Sequence, residues 1–505
     1  VVDEMMEKEM EKRGLIFKEF YPVNPPFGFA GIQIDEETGG LRYLVVEPTL
    51  TEEESHILRG IKHRLIERID IPLEVLRDEE KIEGYLKEEI RRVLRRFRGK
   101  IAEESEEKFI YYLKRDFLGY GRIDILMKDP NIEDISCNGV RTPIYVWHRH
   151  YESLPTNVSY DSEEELDAIV RRLAYRAGHQ ISVAHPIMEG TLPEGYRVHL
   201  TLDEVSKRGD TFTIRKLRAN PYTIIDLINL GTLSPEIAAY LWILVDNLRS
   251  IMICGATASG KTSLLNAIGM FIRPEMKVVT IEEVRELRLH ENWIPMVTRP
   301  SFQPGVEEVT LYDLLRSALR QRPDYIIVGE VRGEEAYTLF QAIAVGHGGL
   351  CTIHAESVDA ALKRLLTKPM NIPKMMMPLM NALVLIRRVK LGEEVARRVV
   401  SIEEITGVSP EGELMLERRY EWNPEDDSFI YHPPTGEEKD VYQQIMEMRH
   451  ISKEKLRIEQ ARRERILRWM VEKGMHTYEE VSQIIRDYYL KPDEVYSAAR
   501  LGAER

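Results

Sequence analysis

The strongest constraint on the chain lies near its middle, where residues 255–262 read Gly-Ala-Thr-Ala-Ser-Gly-Lys-Thr. This is a full G-x-x-x-x-G-K-T pattern. Its glycines let backbone N–H groups curl around phosphate oxygens, its lysine reaches the β- and γ-phosphates, and its threonine hydroxyl ligates Mg²⁺. The flanks fit. Ser250–Cys254 is a short apolar run that reads as a buried strand, and Ser263–Met270 reads as the following helix, whose N-terminus favours phosphate. Gly255, Ala256, Thr257, Ala258, Ser259, Gly260, Lys261, Thr262 and Ser263 are therefore the residues expected to hold Mg-ATP, with Thr262 on the metal.

Three further apolar runs end in polar groups. Lys277–Ile281 ends in Glu282 and Glu283, Tyr325–Gly329 ends in Glu330, and Leu350–Ile353 ends in His354. In an open parallel sheet, ligands sit outside the carboxyl ends of the strands. If these runs neighbour the Ile251–Cys254 strand, their end groups converge on the γ-phosphate. Phosphoryl transfer is largely positioning and electrostatics, so such a site needs a carboxylate to orient water, carboxylates around Mg²⁺ and cations on the phosphate. Glu330 is the expected water-activating residue. Glu283, with Glu282 and Glu286 nearby, is expected at the Mg²⁺ shell or the water. His354 is expected to report the γ-phosphate, and Arg197 and Arg215 are candidates for the remaining phosphate cations.

At 505 residues the chain exceeds one hydrophobic core and suggests about three domains. Residues 1–104 read as a small helical and hairpin unit. Phe29–Asp35 and Leu41–Val46 flank a Gly-Gly turn, and helical stretches follow at about 51–69 and 76–98. In the second stretch Ile90, Val93, Leu94 and Phe97 form a stripe among Arg91, Arg92, Arg95, Arg96 and Arg98. That reads as a solvated face or as a docking surface for an acidic partner or lipid headgroups. Residues 105–235 read as an α+β domain with strands at 144–147, 197–201 and 211–215. From 236, short apolar strands alternate with helices, the pattern of a mostly parallel α/β sheet. Strand-like pieces follow near 399–432, then a charged helical tail from about 436.

Composition narrows the classes. The chain carries 84 acidic against 70 basic side chains, a net charge of −14, where a dedicated nucleic-acid binder usually has a basic surplus. The expectation is therefore no nucleic-acid partner. Charged residues make up 30%, with both signs interleaved, as in heat-adapted surfaces rich in ion pairs. Cys137, Cys254 and Cys351 are widely separated and read as buried, reduced thiols in a cytoplasmic protein. The longest apolar runs, such as Ala238–Val245, fall far short of the roughly 20 residues of a membrane span, so any membrane association is expected to be peripheral. No signal peptide is legible, and a chain opening on Val1 leaves room for residues upstream.

The ordered motifs resemble those of the secretion ATPase superfamily, which powers type II and type IV secretion, type IV pili and the archaellum. That family carries a phosphate loop, an acidic box, an atypical Walker B motif and a histidine box. Here they match residues 255–262, 280–286 (Thr-Ile-Glu-Glu-Val-Arg-Glu), 322–332 (Arg-Pro-Asp-Tyr-Ile-Ile-Val-Gly-Glu-Val-Arg) and 346–357. Residues 131–135, 192–197 and 213–216 resemble its amino-terminal domain. The resemblance implies a RecA-like ATPase domain preceded by the α+β domain. It also implies a homo-hexamer, a polytopic membrane platform protein as partner, and Arg197 and Arg215 reaching the γ-phosphate. Three departures stand out. Glu282-Glu283-Val284 replaces a frequent Glu-Asp-Pro, Gly333 stands where an aspartate often follows the arginine, and the four-cysteine zinc module is missing. They point to an archaeal or conjugation-type branch.

Other features carry less. Arg316, Arg320 and Arg322 are read either as contacts to a neighbouring subunit or as a solvated face. His347 is read as near the phosphates or structural, Met375–Met380 as flexible core packing, and Trp147, Trp242 and Trp293 as core or interface anchors. Beside the motor reading stand a nucleic-acid translocase, weakened by the acidic balance, and a nucleotide-dependent scaffold with little turnover, disfavoured by the intact candidate residues.

Overall fold

A computed structural model describes residues 17–34, 39–68, 88, 91–92, 95, 103–216, 221–299, 307–392, 394–436 and 439–502. The chain divides into two compact units, Val1–Arg218 and Ala219–Arg505.

The first unit opens with an antiparallel three-stranded sheet, β1 (Phe17–Asn24), β2 (Gly28–Ile34) and β3 (Leu41–Val46). Phe29 pairs with Val46 and Ile34 with Leu41, the hairpin expected from the Gly-Gly turn. Helices α1 (Glu52–Arg68) and α2 (Glu103–Phe117) meet through Leu58, Ile61, Leu65, Phe109 and Leu113. The arginine-rich stripe at 90–98 lies largely outside the described residues. A short helix, α3 (Asp124–Lys128), leads into a second sheet of β4 (Ile132–Cys137), β5 (Tyr145–His148) and β6 (Glu152–Pro155). Helix α4 (Glu163–Arg176) follows, capped where the Ser162 hydroxyl accepts the Glu165 N–H. Strands β7 (Ile187–Thr191), β8 (Arg197–Thr201) and β9 (Thr211–Arg215) complete a sheet ordered β6-β5-β4-β9-β8-β7.

The amino-terminal hairpin is not a separate unit. Its Ala30, Ile32, Tyr43 and Val45 share one core with Ile135, Val198, Phe212 and Ile214 of the second sheet. Asp129 fastens the two sheets, because its carboxylate accepts both the Tyr21 hydroxyl at 2.7 Å and the Tyr43 hydroxyl at 2.6 Å.

The second unit begins with α5 (Ile224–Asn229) and α6 (Pro235–Asp246). The expected boundary at 235 therefore falls inside it: Ile224, Ile225, Leu227 and Leu233 are buried in its core with Trp242 and Leu264. Then come β10 (Ile251–Gly255), α7 (Lys261–Gly269), β11 (Val278–Glu282), β12 (Trp293–Val297), α8 (Leu311–Leu319) and β13 (Tyr325–Val328). They are followed by α9 (Glu335–Ala344), β14 (Gly348–His354), α10 (Val358–Leu366) and β15 (Ala382–Leu391). Strands β16 (Glu394–Val408), β17 (Leu414–Asn423) and β18 (Ser428–Tyr431) precede the tail helices α11 (Val441–Arg449), α12 (Lys453–Glu472), α13 (Tyr478–Leu490) and α14 (Pro492–Leu501).

Among the described residues the sheet order is β12-β11-β13-β14-β10-β15-β16-β17-β18. Neighbours from β12 to β15 run parallel, and β15 onward is antiparallel. Alternation along each central strand feeds two cores. Ile251, Ile253, Tyr325 and Ile327 face α5–α7 and the tail, while Met252, Cys254, Ile326 and Val328 face α8–α10. Both faces are covered, which is why these strands read as continuous apolar runs. The three cysteines are free and buried. Met377 and Met380 are core residues as expected, although Met375 is exposed.

Candidate functional site

The phosphate loop connects β10 to α7, and its backbone explains its sequence. Ala258 and Gly260 both adopt positive φ, 60° and 96°, folding the loop back so that α7 starts at Lys261. Gly255 has no room for a side chain: a Cβ there would lie 2.4 Å from Ser259 Oγ and 2.7 Å from the Ile386 carbonyl oxygen. Lys261 Nζ donates to the Ala256 carbonyl at 2.8 Å, so the ammonium is held over its own loop. Burial lowers the Lys261 pKa, and the facing Glu330 carboxylate opposes that shift while Arg332 adds to it. Arg397 on β16 braces the loop by donating Nε–H to the Ala258 carbonyl at 3.2 Å.

The other candidate groups stand on neighbouring strand ends, though not all beside β10. β14 is the direct neighbour, with Gly255 in register with His354. β13 lies beyond β14 and β11 beyond β13. All run parallel, so Glu283, Glu330, His354 and the phosphate loop share the carboxyl edge of one sheet. His354 Nδ1 sits 3.4 Å from Thr257 Oγ1.

The acidic residues separate into two kinds. Glu282 is 3% exposed, and its Oε1 accepts the N–H groups of Glu286 and Leu287 at 2.9 and 3.1 Å. Burial pushes this carboxyl up to about 7, although those two N–H groups favour the charged form. Glu282 therefore shapes the turn after β11. Glu283 and Glu330 instead face outward and are joined by a residue to which sequence spacing assigns no role. Arg332 donates to Glu283 Oε1 at 2.9 Å and to Glu330 Oε2 at 2.7 Å. The Arg332 side chain is half exposed, so each pair contributes only about 0–1 kcal/mol. Its backbone is firmer. The buried Glu335 carboxylate accepts the N–H groups of Arg332 and Gly333 at 2.6 and 2.7 Å. A Cβ on Gly333 would meet Glu335 Oε2 at 3.0 Å, a tight contact with the carboxylate that holds this turn.

Arg197 and Arg215 belong to the first unit, where β8 and β9 set them directly opposite one another. Arg197 donates to Glu189 at 3.3 Å and Arg215 to Asp134 at 3.0 Å. Two arginines 18 positions apart thus stand side by side at one partly exposed spot, each beside its own carboxylate.

Several weaker candidates resolve structurally. His347 precedes β14 and hydrogen-bonds the Pro323 carbonyl at 2.7 Å, at the opposite end of the strand from His354. That removes it from the phosphate loop. Arg316 lies on α8 with its guanidinium over Tyr312, Arg320 caps the helix, and Arg322 lies beyond it with φ 51°. Trp242 is a core residue stacked on Phe271 at 4.9 Å, and Trp293 donates its indole N–H to Thr280 Oγ1 at 2.9 Å.

Thr262 stands in the first turn of α7, and Glu283 and Glu330 supply carboxylates just past the ends of the adjoining strands β11 and β13. No cluster of three or more His, Cys, Asp or Glu ligands occurs among the described residues. This sparse oxygen set suits Mg²⁺, which is commonly held by one or two protein groups together with substrate phosphates and water.

The family model for type II/IV secretion system proteins matches residues 125–486. An uncharacterized protein of Methanocaldococcus jannaschii is 40% identical over 434 residues, covering 81% of this chain and 78% of the relative. A type IV secretion system protein PtlH homolog of Bordetella bronchiseptica is 31% identical over 273 residues, covering 47% and 80%. Among solved structures, the Legionella pneumophila ATPase DotB aligns at 21% identity and a TM-score of 0.40, covering 56% of this chain and 78% of that one. That superposition is too loose to add to the sequence match.

Proposed function

The chain belongs to the type II/IV secretion system protein family and is an ATP hydrolase, and from that premise we propose that it is a hexameric motor. It couples Mg-ATP hydrolysis to protein secretion or to assembly of an extracellular filament, working peripherally at the inner face of the cytoplasmic membrane. The observation that carries this reading is the shared carboxyl edge on which the phosphate loop, His354, Glu330 and Glu283 stand. Among the described residues no helix is long and apolar enough to cross a membrane. A polytopic platform protein is the partner the family resemblance supplies.

In this reading the loop N–H groups and Lys261 cradle the phosphates, and Thr262 with Glu283 holds Mg²⁺. The ion, when bound, neutralises charge across the β- and γ-oxygens. Glu330 orients the attacking water, and His354, beside Thr257, senses the terminal phosphate. Arg197 and Arg215 are the remaining cations assigned in this reading to the γ-phosphate.

Steady-state hydrolysis across a protein concentration series, for native protein and Glu330→Gln, tests this. Specific activity should rise with concentration, and the variant should lose about 10²–10⁴-fold in kcat, the usual contribution of such a group. A variant that turns over at the native rate would remove Glu330 from the mechanism.

A further inference from the structure

The two carboxylates that the chemistry needs are both occupied by one side chain. Arg332 holds Glu330 and Glu283 through separate guanidinium nitrogens, at 2.7 and 2.9 Å. Each contact takes one oxygen of its carboxylate, and the guanidinium charge competes with a metal ion at Glu283 and lowers the basicity of Glu330 toward water. The strap is weak by construction. Arg332 is 51% exposed, Glu283 36% and Glu330 25%, so solvent screens both pairs, the Glu283 pair more fully. Its root is strong, because Glu335 pins the backbone of Arg332 and Gly333. A fixed backbone and a loosely held guanidinium describe a side chain that can swing without moving its loop.

Lys261 supplies the direction of the swing. Its phosphate loop follows β10, and Glu330 and Arg332 follow β13 on the same carboxyl edge of the parallel sheet, so the three charges share one neighbourhood and Lys261 feels both of the others. A terminal phosphate seated on Lys261 enters that neighbourhood carrying up to two negative charges and three acceptor oxygens. Guanidinium–phosphate pairs are charge-assisted and frequently bidentate. They outcompete two screened contacts to separate carboxylates.

We propose that Arg332 is a terminal-phosphate switch: its guanidinium alternates between the Glu330–Glu283 pair and the γ-phosphate of a bound nucleoside triphosphate, and taking the phosphate releases both carboxylates for water and metal. A diphosphate offers no terminal group at that position and leaves the strap closed. Arg332 thereby ties assembly of the hydrolytic machinery to the presence of a γ-phosphate. This rests on the ATPase reading of the same site.

The test is equilibrium binding, independent of turnover. A non-hydrolysable ATP analogue and ADP are titrated by fluorescence against native protein, Arg332→Gln and Arg332→Lys. The glutamine variant should lose about 10-fold or more in affinity for the triphosphate, as expected for a charge-assisted contact. Its ADP affinity should stay within about 2-fold of native, since the strap is worth little. The lysine variant keeps a charge without the fork and should fall between. Parallel loss for both nucleotides in the folded variants, or no change for either, would overturn the switch while leaving the ATPase reading intact. Native protein that binds neither nucleotide would overturn both.

Discussion

Gly255 shows how tightly single residues are specified at the loop. Substitution by alanine drives a methyl group into the Ile386 carbonyl oxygen, which is backbone of β15 and cannot rotate away. We expect Gly255→Ala to destabilise the second unit by about 1–3 kcal/mol, as overpacking does, and to weaken nucleotide binding; thermal melts and ATP titration would show it. Glu282 makes a different prediction. Its carboxyl titrates near 7 in the folded protein, against about 4.3 in an unfolded chain. Between those values the native state binds more protons than the unfolded state, so this group's contribution to stability declines as pH rises from about 4.3 to 7, by up to about 4 kcal/mol. Urea melts of Glu282→Gln at pH 5 and 8 should show a shallower pH dependence than native protein. An unaltered slope would mean that Glu282 is not the group responsible. The phosphate loop was legible residue by residue because its chemistry is local. The division of labour between Glu282 and Glu283 was not, since adjacent glutamates look alike until one points into a core.

At the scale of elements, the tail helices are fastened to the ATPase core by buried charge. Arg463 of α12 pairs with Asp246 at the end of α6, and Arg273 donates to the same carboxylate at 2.6 Å. Burial alone would raise the Asp246 carboxyl, but the two guanidinium groups outweigh it and hold it below its ordinary value. A depressed carboxylate stabilises at neutral pH and loses that contribution as pH falls through its folded value, so stability should drop below about pH 4. Asp246→Ala leaves Arg463 buried without that partner and should cost about 3–5 kcal/mol. A loss under about 1 kcal/mol in denaturant melts would show that water reaches the site. A second tie runs through Tyr489, which accepts the Trp242 indole N–H at 2.8 Å and donates to the Phe271 carbonyl at 2.6 Å. The charged tail was legible as helix. Its anchor was not, because Asp246 and Arg463 are 217 positions apart.

At the scale of the whole molecule, the second unit carries two complete cores, one on each face of its sheet. Residues 219–505 expressed alone should therefore fold cooperatively and keep the near-ultraviolet signature of the packed Trp242, whereas a fragment starting at 236 should be markedly less stable because α5 fills that core. Equal melting temperatures for the two fragments would count against this. Hydrolysis by the 219–505 fragment should fall well below that of the full chain if Arg197 and Arg215 act on the phosphate, with nucleotide binding largely retained.

The sequence by itself determined the phosphate loop, the apolar strands with their polar ends and the order of the four motifs, because each depends on residues adjacent along the chain and on a strand or helix period. It also carried family membership, through those ordered motifs. Tertiary structure decided the rest: the insertion of β14 between β10 and β13, the pairing of Arg197 with Arg215, and the burial of Glu282. It also closed the strap of Arg332 across two strand ends and moved the first sheet into the core of its neighbour. These depend on strand register and on which side chains the cores exclude from water, and neither is a property of any local stretch of chain.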